Sequence, residues 1–272
     1  MQPRRSDDIE RAHLRDPRDA SFTIHRYPPT AELAGLIRRY WIPVWQVPAG
    51  EQSVQKVLQY PICLAVTTPA YSRFGGPSRG LSQTVLEGKA WGFGVMFTPA
   101  AGALLLDGPV SALTDTFLEL DQVPLFAGVT ERLRALMADD PDDPDAHAAG
   151  RALFEDRLEP LLPLDDESEL VNAIVERIES DERLRTVTEL CAAFGLGERT
   201  LQRLLGRRIG LSPLWLIRRL RLHEAADRLG QGVGSLAEVA ADLGYADQAH
   251  FSRDFKTATG WSPGEFVRMR RA

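Results

Sequence analysis

Apolar residues follow two different rhythms along this chain, and the change falls near residue 99. Between residues 22 and 98 they come in short runs, at Leu58, 62–67 and 91–97. Turn signals separate the runs at Pro48-Ala49-Gly50, Gly75-Gly76-Pro77 and Glu87-Gly88. Short apolar or β-branched runs with such punctuation read as strands, and several together as a small sandwich or barrel. Residues 31–40 are expected to form a short helix entering it. From Pro99 the spacing turns helical, through 100–106, 125–137 and 146–162. The acidic run 139–145 between the last two is expected as an exposed loop, and 160–166, with Pro163 and its charges, as a break in the helix.

The remaining residues read as all helix. Residues 168–179 place Leu170, Ile174, Val175 and Ile178 on one face, and the pattern that follows occurs twice. In the first copy Val187, Glu189, Leu190 and Phe194 lead to Gly195, followed by Leu201, Arg203, Leu205, Gly210, Ser212 and Pro213. In the second, Leu236, Glu238, Val239 and Leu243 lead to Gly244, followed by Phe251, Arg253, Phe255, Gly260, Ser262 and Pro263. Gly195 and Gly244 are 49 residues apart whereas Arg203 and Arg253 are 50 apart, so the second turn holds one extra residue. A short helix, a glycine turn and an amphipathic helix, repeated, can set two helices in successive major grooves of DNA. Thr186 or Thr188, Ser235 and Asp247 are expected as helix caps. Ser212-Pro213 opens a long helix through Leu229, with proline at the first turn where a missing N–H costs nothing. At about 1.5 Å per residue that helix spans roughly 27 Å, near the roughly 34 Å between successive groove faces. A last helix starts near Pro263.

Charge sharpens this division. The chain of 272 residues carries a net −6, which reads poorly for a DNA binder. Residues 183–272, however, hold 15 basic and 9 acidic side chains, a net +6, against −12 for residues 1–182. A basic back and an acidic front fit one region that seeks phosphate and one that avoids it. The length suits about two domains, with boundaries expected at 21–162 and 168–272, a linker at 163–167, and a polar, mobile stretch at 1–20. The two helix-turn-helix units fall at about 187–208 and 235–257. No apolar run reaches the roughly 18 residues of a membrane span, and the N-terminus lacks the apolar core of a signal peptide. Cys63 and Cys191 are the only cysteines, so a disulfide framework is not expected, in keeping with a reducing cytoplasm.

Residues 187–268 resemble the AraC/XylS transcription regulators. The likeness is strongest in Leu243-Gly244-Tyr245-Ala246-Asp247-Gln248-Ala249-His250-Phe251-Ser252-Arg253-Asp254-Phe255-Lys256 and the following Gly260-Trp261-Ser262-Pro263. The resemblance implies a seven-helix DNA-binding domain with two helix-turn-helix units joined by a central helix, in a bacterial regulator that usually activates through contact with RNA polymerase. The front region is similar, more weakly, to the β-rich sensor domains of that family. The expected fold class is therefore a two-domain α+β chain, with a cupin-like β barrel or sandwich and trailing helices before the all-α domain. Two positions depart from the family pattern. Gly197 stands where Ser or Thr often caps the first recognition helix, and Leu205 replaces a bulky core aromatic, which implies a looser first reader.

On the first recognition helix Leu201, Leu204 and Leu205 form the buried stripe, leaving Arg199, Gln202, Arg203 and Arg207 on other faces. Arginine pairs bidentately with guanine and glutamine with adenine, so Arg199, Gln202 and Arg203 are expected to read bases. Thr200, Arg207 and Arg208 are expected on phosphate. On the second helix Phe251 and Phe255 turn inward, Gln248, His250 and Arg253 read bases, and Ser252 and Lys256 lie nearer the backbone. The alternative for each face is a solvated polar surface, and for His250 a packing role. Trp215 and Trp261 are expected in the core rather than stacked on bases. Of the 32 basic residues 29 are arginine, a fork suited to groove reading that genome composition produces equally well.

Chemistry elsewhere is sparse. The histidines, His13, His25, His147, His223 and His250, are scattered, and a cupin-type metal site needs several with a carboxylate on facing strands. No phosphate-loop glycine pattern occurs. The expectation is a non-enzyme with no metal and no cofactor. Cys63, between Ile62 and Leu64, reads as a small buried hydrophobe. Trp41, Trp45, Tyr60, Trp91, Phe93 and Met96 either line an apolar effector pocket or form the ordinary core of a small sheet. Residues 125–162 offer an alternative dimer interface. The sum is a cytoplasmic, sequence-specific regulator, expected as an activator. Its partners are double-stranded DNA, RNA polymerase by resemblance, a small-molecule effector and a second copy of itself. Two alternatives stand beside it: a ligand-independent regulator whose front domain only dimerises, and a small-molecule-binding or catalytic cupin-like barrel with a secondary DNA domain.

Overall fold

Nine strands, all before residue 120, and ten α-helices order the described residues of this computed structural model, which are 14, 19–106, 108–181, 183–232 and 234–271. The stretch 1–20, expected to be mobile, lies almost wholly outside them. Six strands lie side by side in the order β1 (Phe22–Tyr27), β2 (Ile37–Gln46), β8 (Phe93–Phe97), β4 (Leu64–Thr67), β5 (Ser72–Gly75) and β9 (Phe117–Glu119), with every pair antiparallel. β7 (Lys89–Trp91) pairs the far end of β2. β3 (Ser53–Leu58) and β6 (Leu81–Leu86) form a separate two-stranded ribbon.

Residues 31–40 are not the helix expected of them. Glu32–Gly35 makes one 3-10 turn, and β2 runs from Ile37 for ten residues. Leu33, Leu36, Ile37 and Tyr40 are all buried, at a spacing that mimics a helix face. The turn and a register shift between Ile37 and Arg39 bring the same four inward by another route. Further along β2, Tyr40, Ile42 and Val44 alternate inward in the ordinary way of a strand.

Every residue of β8 is buried, because the sheet is covered on both faces. On one face Phe93, Val95 and Phe97 meet α1 (Ala101–Leu105), α2 (Val129–Leu136) and α3 (Pro144–Leu158) in the largest apolar cluster. Phe126 is its hub, with ring centroids 5.9 Å from Phe97 and 5.3 Å from Phe154. On the opposite face Met96, with Tyr60 and Ile62 of the connection between β3 and β4, packs on the C-terminal helices. Gly94 makes room there for Trp41, whose ring lies 2.3 Å from where a Cβ would stand.

The C-terminal region is all helical: α4 (Asp166–Ser180), α5 (Val187–Phe194), α6 (Glu198–Arg208), α7 (Pro213–Gly230), α8 (Leu236–Asp242), α9 (Gln248–Thr259) and α10 (Pro263–Arg271). One cluster joins α4–α7 to the sheet, and another joins α7–α10 to Leu58 of the ribbon. The two regions therefore share apolar cores. Polar contacts reinforce the joint. Arg38 meets Glu179 in a two-bond fork at 2.8 and 3.0 Å, and Asn172 bridges the Gly35 carbonyl and the Ala100 N–H at 2.9 and 3.0 Å. The Thr114 hydroxyl donates to Gly210 O at 3.1 Å, and the His223 ring stacks on Tyr60 at 4.2 Å.

Candidate nucleic-acid interface

Each helix-turn-helix unit opens on the same local chemistry. Thr186 accepts the Glu189 N–H while Glu189 accepts that of Thr186; Ser235 and Glu238 do the same ahead of α8. These reciprocal caps satisfy donors that the first turn leaves orphaned. Hydrogen bonds from the Arg185 and Thr186 N–H groups hold the Glu189 carboxyl below the usual range, and those from the Ser235 N–H and side chain do the same for Glu238. The first helix of each unit stops at a left-handed glycine, Gly195 at φ 63° and Gly244 at φ 78°. The next N–H reaches back five residues in both, Leu196 to Cys191 O and Tyr245 to Ala240 O, each at 3.0 Å. A side chain at either glycine would be strained. The extra residue in the second turn separates Gly244 from the Asp247 cap by three positions, against two from Gly195 to Gly197.

The second helices of the two units start differently. Gly197 offers α6 no side-chain cap, whereas Asp247 accepts the His250 N–H at 2.7 Å and its carboxyl is held down by that bond. Leu201, Leu204 and Leu205 are buried on α6, as are Phe251 and Phe255 on α9. Arg199, Thr200, Gln202, Arg203 and Arg207 stand exposed on α6; Gln248, Arg253 and Lys256 stand exposed on α9. Arg199, Arg203, Gln248, Arg253 and Lys256 make no side-chain hydrogen bond or ion pair with a described residue. Gln202 Nε2 donates to Glu198 Oε1 at 3.0 Å. His250 is half-buried, edge-on to the Tyr245 ring at 5.2 Å and 3.7 Å from Asp254, and Ser252 beside it is half-buried too. Arg207 and Arg208 are tied to carboxylates of α4 and the residue before it, and the Arg208 side chain is only 11% exposed.

Between the units, α7 is held by a buried arginine. Arg221 Nη2 donates to the carbonyls of Ile178, Asp181 and Leu184 at 2.9, 2.7 and 3.1 Å, and Nη1 meets Glu224 at 2.7 Å. The guanidinium thus closes the C-terminus of α4, where a cation also suits the helix dipole. Arg219, buried beside the Trp215 ring, donates to the Arg79 carbonyl, and burial pushes its pKa down to about 10 against the pull of Asp115. Trp215 and Trp261 are half-buried, and Trp261 lies under Lys56 Nζ at 3.6 Å.

The six aromatic and Met positions weighed as an effector pocket do not converge. Trp91 and Phe93 belong to the sheet–helix core, and Tyr60, Met96 and Trp41 to the shared cluster. Trp45 packs against Phe22 and Leu86, and its indole donates to Glu87 O at 3.1 Å. A shallow cleft of about 630 Å³ lies elsewhere, between Glu32, Gly35, Glu159, Leu162, Pro163, Leu164 and Glu169. Among the described residues no group of three or more His, Cys, Asp or Glu is placed to hold a metal ion, and no helix is long and apolar enough to cross a membrane. Cys63 is buried, and burial pushes its thiol up to about 12. Sequence reasoning missed Asp165 and Glu167 at the arginines of α6, because forty residues separate them. It placed caps at Thr186 or Thr188 and at Ser235 but passed over the reciprocal halves, Glu189 and Glu238, although Thr186-x-x-Glu189 and Ser235-x-x-Glu238 spell them out.

Comparison with known proteins bears on the two regions separately. Residues 190–269 match the family model described as a helix-turn-helix domain, and residues 25–119 match a domain of unknown function (DUF6597). The HTH-type transcriptional activator RhaS of Escherichia fergusonii is 40% identical over 79 residues, 29% of this chain and 28% of that protein. RhaS of Klebsiella pneumoniae is 36% identical over 84 residues, 31% and 30% of the two chains. The chain thus spans under a third of the length of these curated relatives. Among solved structures, the C-terminal domain of AraT, a response regulator from Geobacillus stearothermophilus, is 27% identical, with a TM-score of 0.34 over 38% of this chain and 88% of that one. ToxT from Vibrio cholerae bound to (E)-4-(8-methylnaphthalen-1-yl)but-3-enoic acid is 13% identical, with a TM-score of 0.42 over 92% and 99%.

Proposed function

We propose that this chain, whose C-terminal region is a helix-turn-helix domain of the AraC type, is a sequence-specific DNA-binding transcriptional regulator. The observation that carries the reading is the paired presentation of α6 and α9. Both follow the same capped helix and left-handed glycine, and both turn arginine and glutamine outward. Arg199, Gln202 and Arg203 in the first unit and Gln248, His250 and Arg253 in the second read base edges, where arginine matches guanine and glutamine adenine. Thr200, Ser252 and Lys256 meet phosphate. Arg207 and Arg208 do so only by leaving their carboxylates.

Two RhaS relatives carry the name activator, and activation through contact with RNA polymerase is the mode we extend to this chain. Region 21–162 supplies control, through a small-molecule effector or through pairing of two copies, and 163–167 links it to the DNA-binding region 168–272. The apolar clusters shared by sheet and helices support such coupling, since a change in one region repacks the other. In this reading the protein is a regulator rather than an enzyme, and it acts in the cytoplasm. The test is a titration of the full chain against DNA from upstream of its own gene and against a shuffled duplex, over a series of salt concentrations. Tighter binding to the native duplex, weakening as salt rises but staying selective, is expected. Equal affinity for both duplexes would sink the reading.

A further inference from the structure

The two arginines that end α6 are occupied by carboxylates at the opening of α4. Arg207 Nη2 donates to Glu167 Oε2 at 2.5 Å. Arg208 donates to the other Glu167 oxygen and, at 3.2 Å, to both oxygens of Asp165. Asp165 is fixed from its other side, since as N-cap of α4 it accepts the Ser168 N–H at 2.6 Å. Arg207 lies one helical turn beyond Arg203 and two beyond Arg199, on the same exposed stripe. A guanidinium engages a carboxylate with the same planar fork that it would offer a phosphate. The acids of α4 and the DNA backbone therefore compete for one set of donors.

We propose that Glu167 is a specificity-determining residue: with Asp165 it withholds Arg207 and Arg208 from the DNA backbone, so that the first unit relies on its base-reading side chains. The inference rests on the DNA-binding reading above. Binding to random sequence comes almost wholly from phosphate contacts, each adding roughly 0.9 to the slope of log affinity against log salt. Removing two such contacts weakens random binding and leaves base contacts untouched. The ratio of specific to random affinity, which matters against a genome of competing sites, widens.

The experiment uses the full chain and a short duplex of random sequence, with affinity read by fluorescence anisotropy across a salt series. Glu167→Gln is expected to bind about tenfold tighter at low salt and to steepen the salt slope by about 1 to 2. Adding Arg207→Ala and Arg208→Ala to that variant returns the slope to that of the unmodified chain. The same two arginine changes made alone leave the slope where it was. An unchanged slope in Glu167→Gln overturns the proposal. So does a shallower slope in the arginine double variant alone, which places both arginines on phosphate already and needs no folded Glu167→Gln to be seen. If the unmodified chain shows no salt-sensitive binding to any duplex, the DNA-binding reading itself falls and takes this inference with it.

Discussion

The two helix-turn-helix units share a backbone plan and differ in what surrounds it. In the first, the buried positions are the aliphatic Leu190, Leu201, Leu204 and Leu205, with Phe194 only partly buried beside them, and the second helix begins on an uncapped glycine and ends in carboxylates. In the second, Phe251 stands 5.3 Å from Tyr245 and 5.6 Å from Phe255, which stands 5.5 Å from Phe266. Its second helix begins on Asp247 and carries Lys256 in its last turn. The left-handed glycine and its back-bond recur in both units, while turn length, packing and charge differ. The second unit has the more aromatic core and the side-chain-capped second helix, and the first has the arginines held by carboxylates.

The largest test of that contrast is in the cores. Leu205 and Phe255 occupy matching positions and are both fully buried. Phe255→Ala is expected to cost about 3–5 kcal/mol and Leu205→Ala about 2–5 kcal/mol, with phenylalanine the costlier because its ring neighbours lose edge contacts as well. Urea unfolding ranks them, and the reverse order would remove aromatic packing as the distinction. Next come the readers: Arg203→Ala and Arg253→Ala should each cost about 1–3 kcal/mol on a specific duplex and relax selectivity there. Equal losses on specific and shuffled DNA would make both arginines phosphate contacts.

Smaller effects probe the helix starts. Asp247→Ala should cost about 1 kcal/mol, while Gly197→Ser should gain a few tenths of a kcal/mol; matching thermal shifts of opposite sign are the readout. Acid extends the comparison. Glu238 and Asp247 in the second unit, but only Glu189 in the first, have carboxyls lowered by hydrogen bonds from N-terminal amides. A carboxyl lowered in the folded state contributes stability that is present above the ordinary range and lost as pH falls through and below it. Amide exchange in acid should therefore loosen α8–α9 before α5–α6, and simultaneous loosening would count against the caps as the cause.

How much of this was legible in the sequence depended on the range of the interactions. The repeat, the glycine turns and the Ser235 and Asp247 caps are local and could be read directly. The buried stripes of α6 and α9 followed from spacing alone. Residues 31–40 misled because a 3-10 turn with a bulged strand buries the same four positions as a helix would. The aromatic positions of the front region were legible as apolar but not as separate clusters, since strand order is non-local. The partners of Arg207 and Arg208 were hidden for the same reason, as nothing near residue 207 points to residue 167.

The clamp of Arg221 on three carbonyls reaches beyond stability. It pins the middle of the connecting helix to the end of α4, so on the proposed DNA-binding reading the angle between the two units is set by the protein and not adjusted on the duplex. A target whose two contact segments were pushed apart by half a turn would present its second segment on the opposite side of the double helix, and no bending of an eighteen-residue rod could recover it. On that reading, one guanidinium limits the operator spacing that the chain accepts.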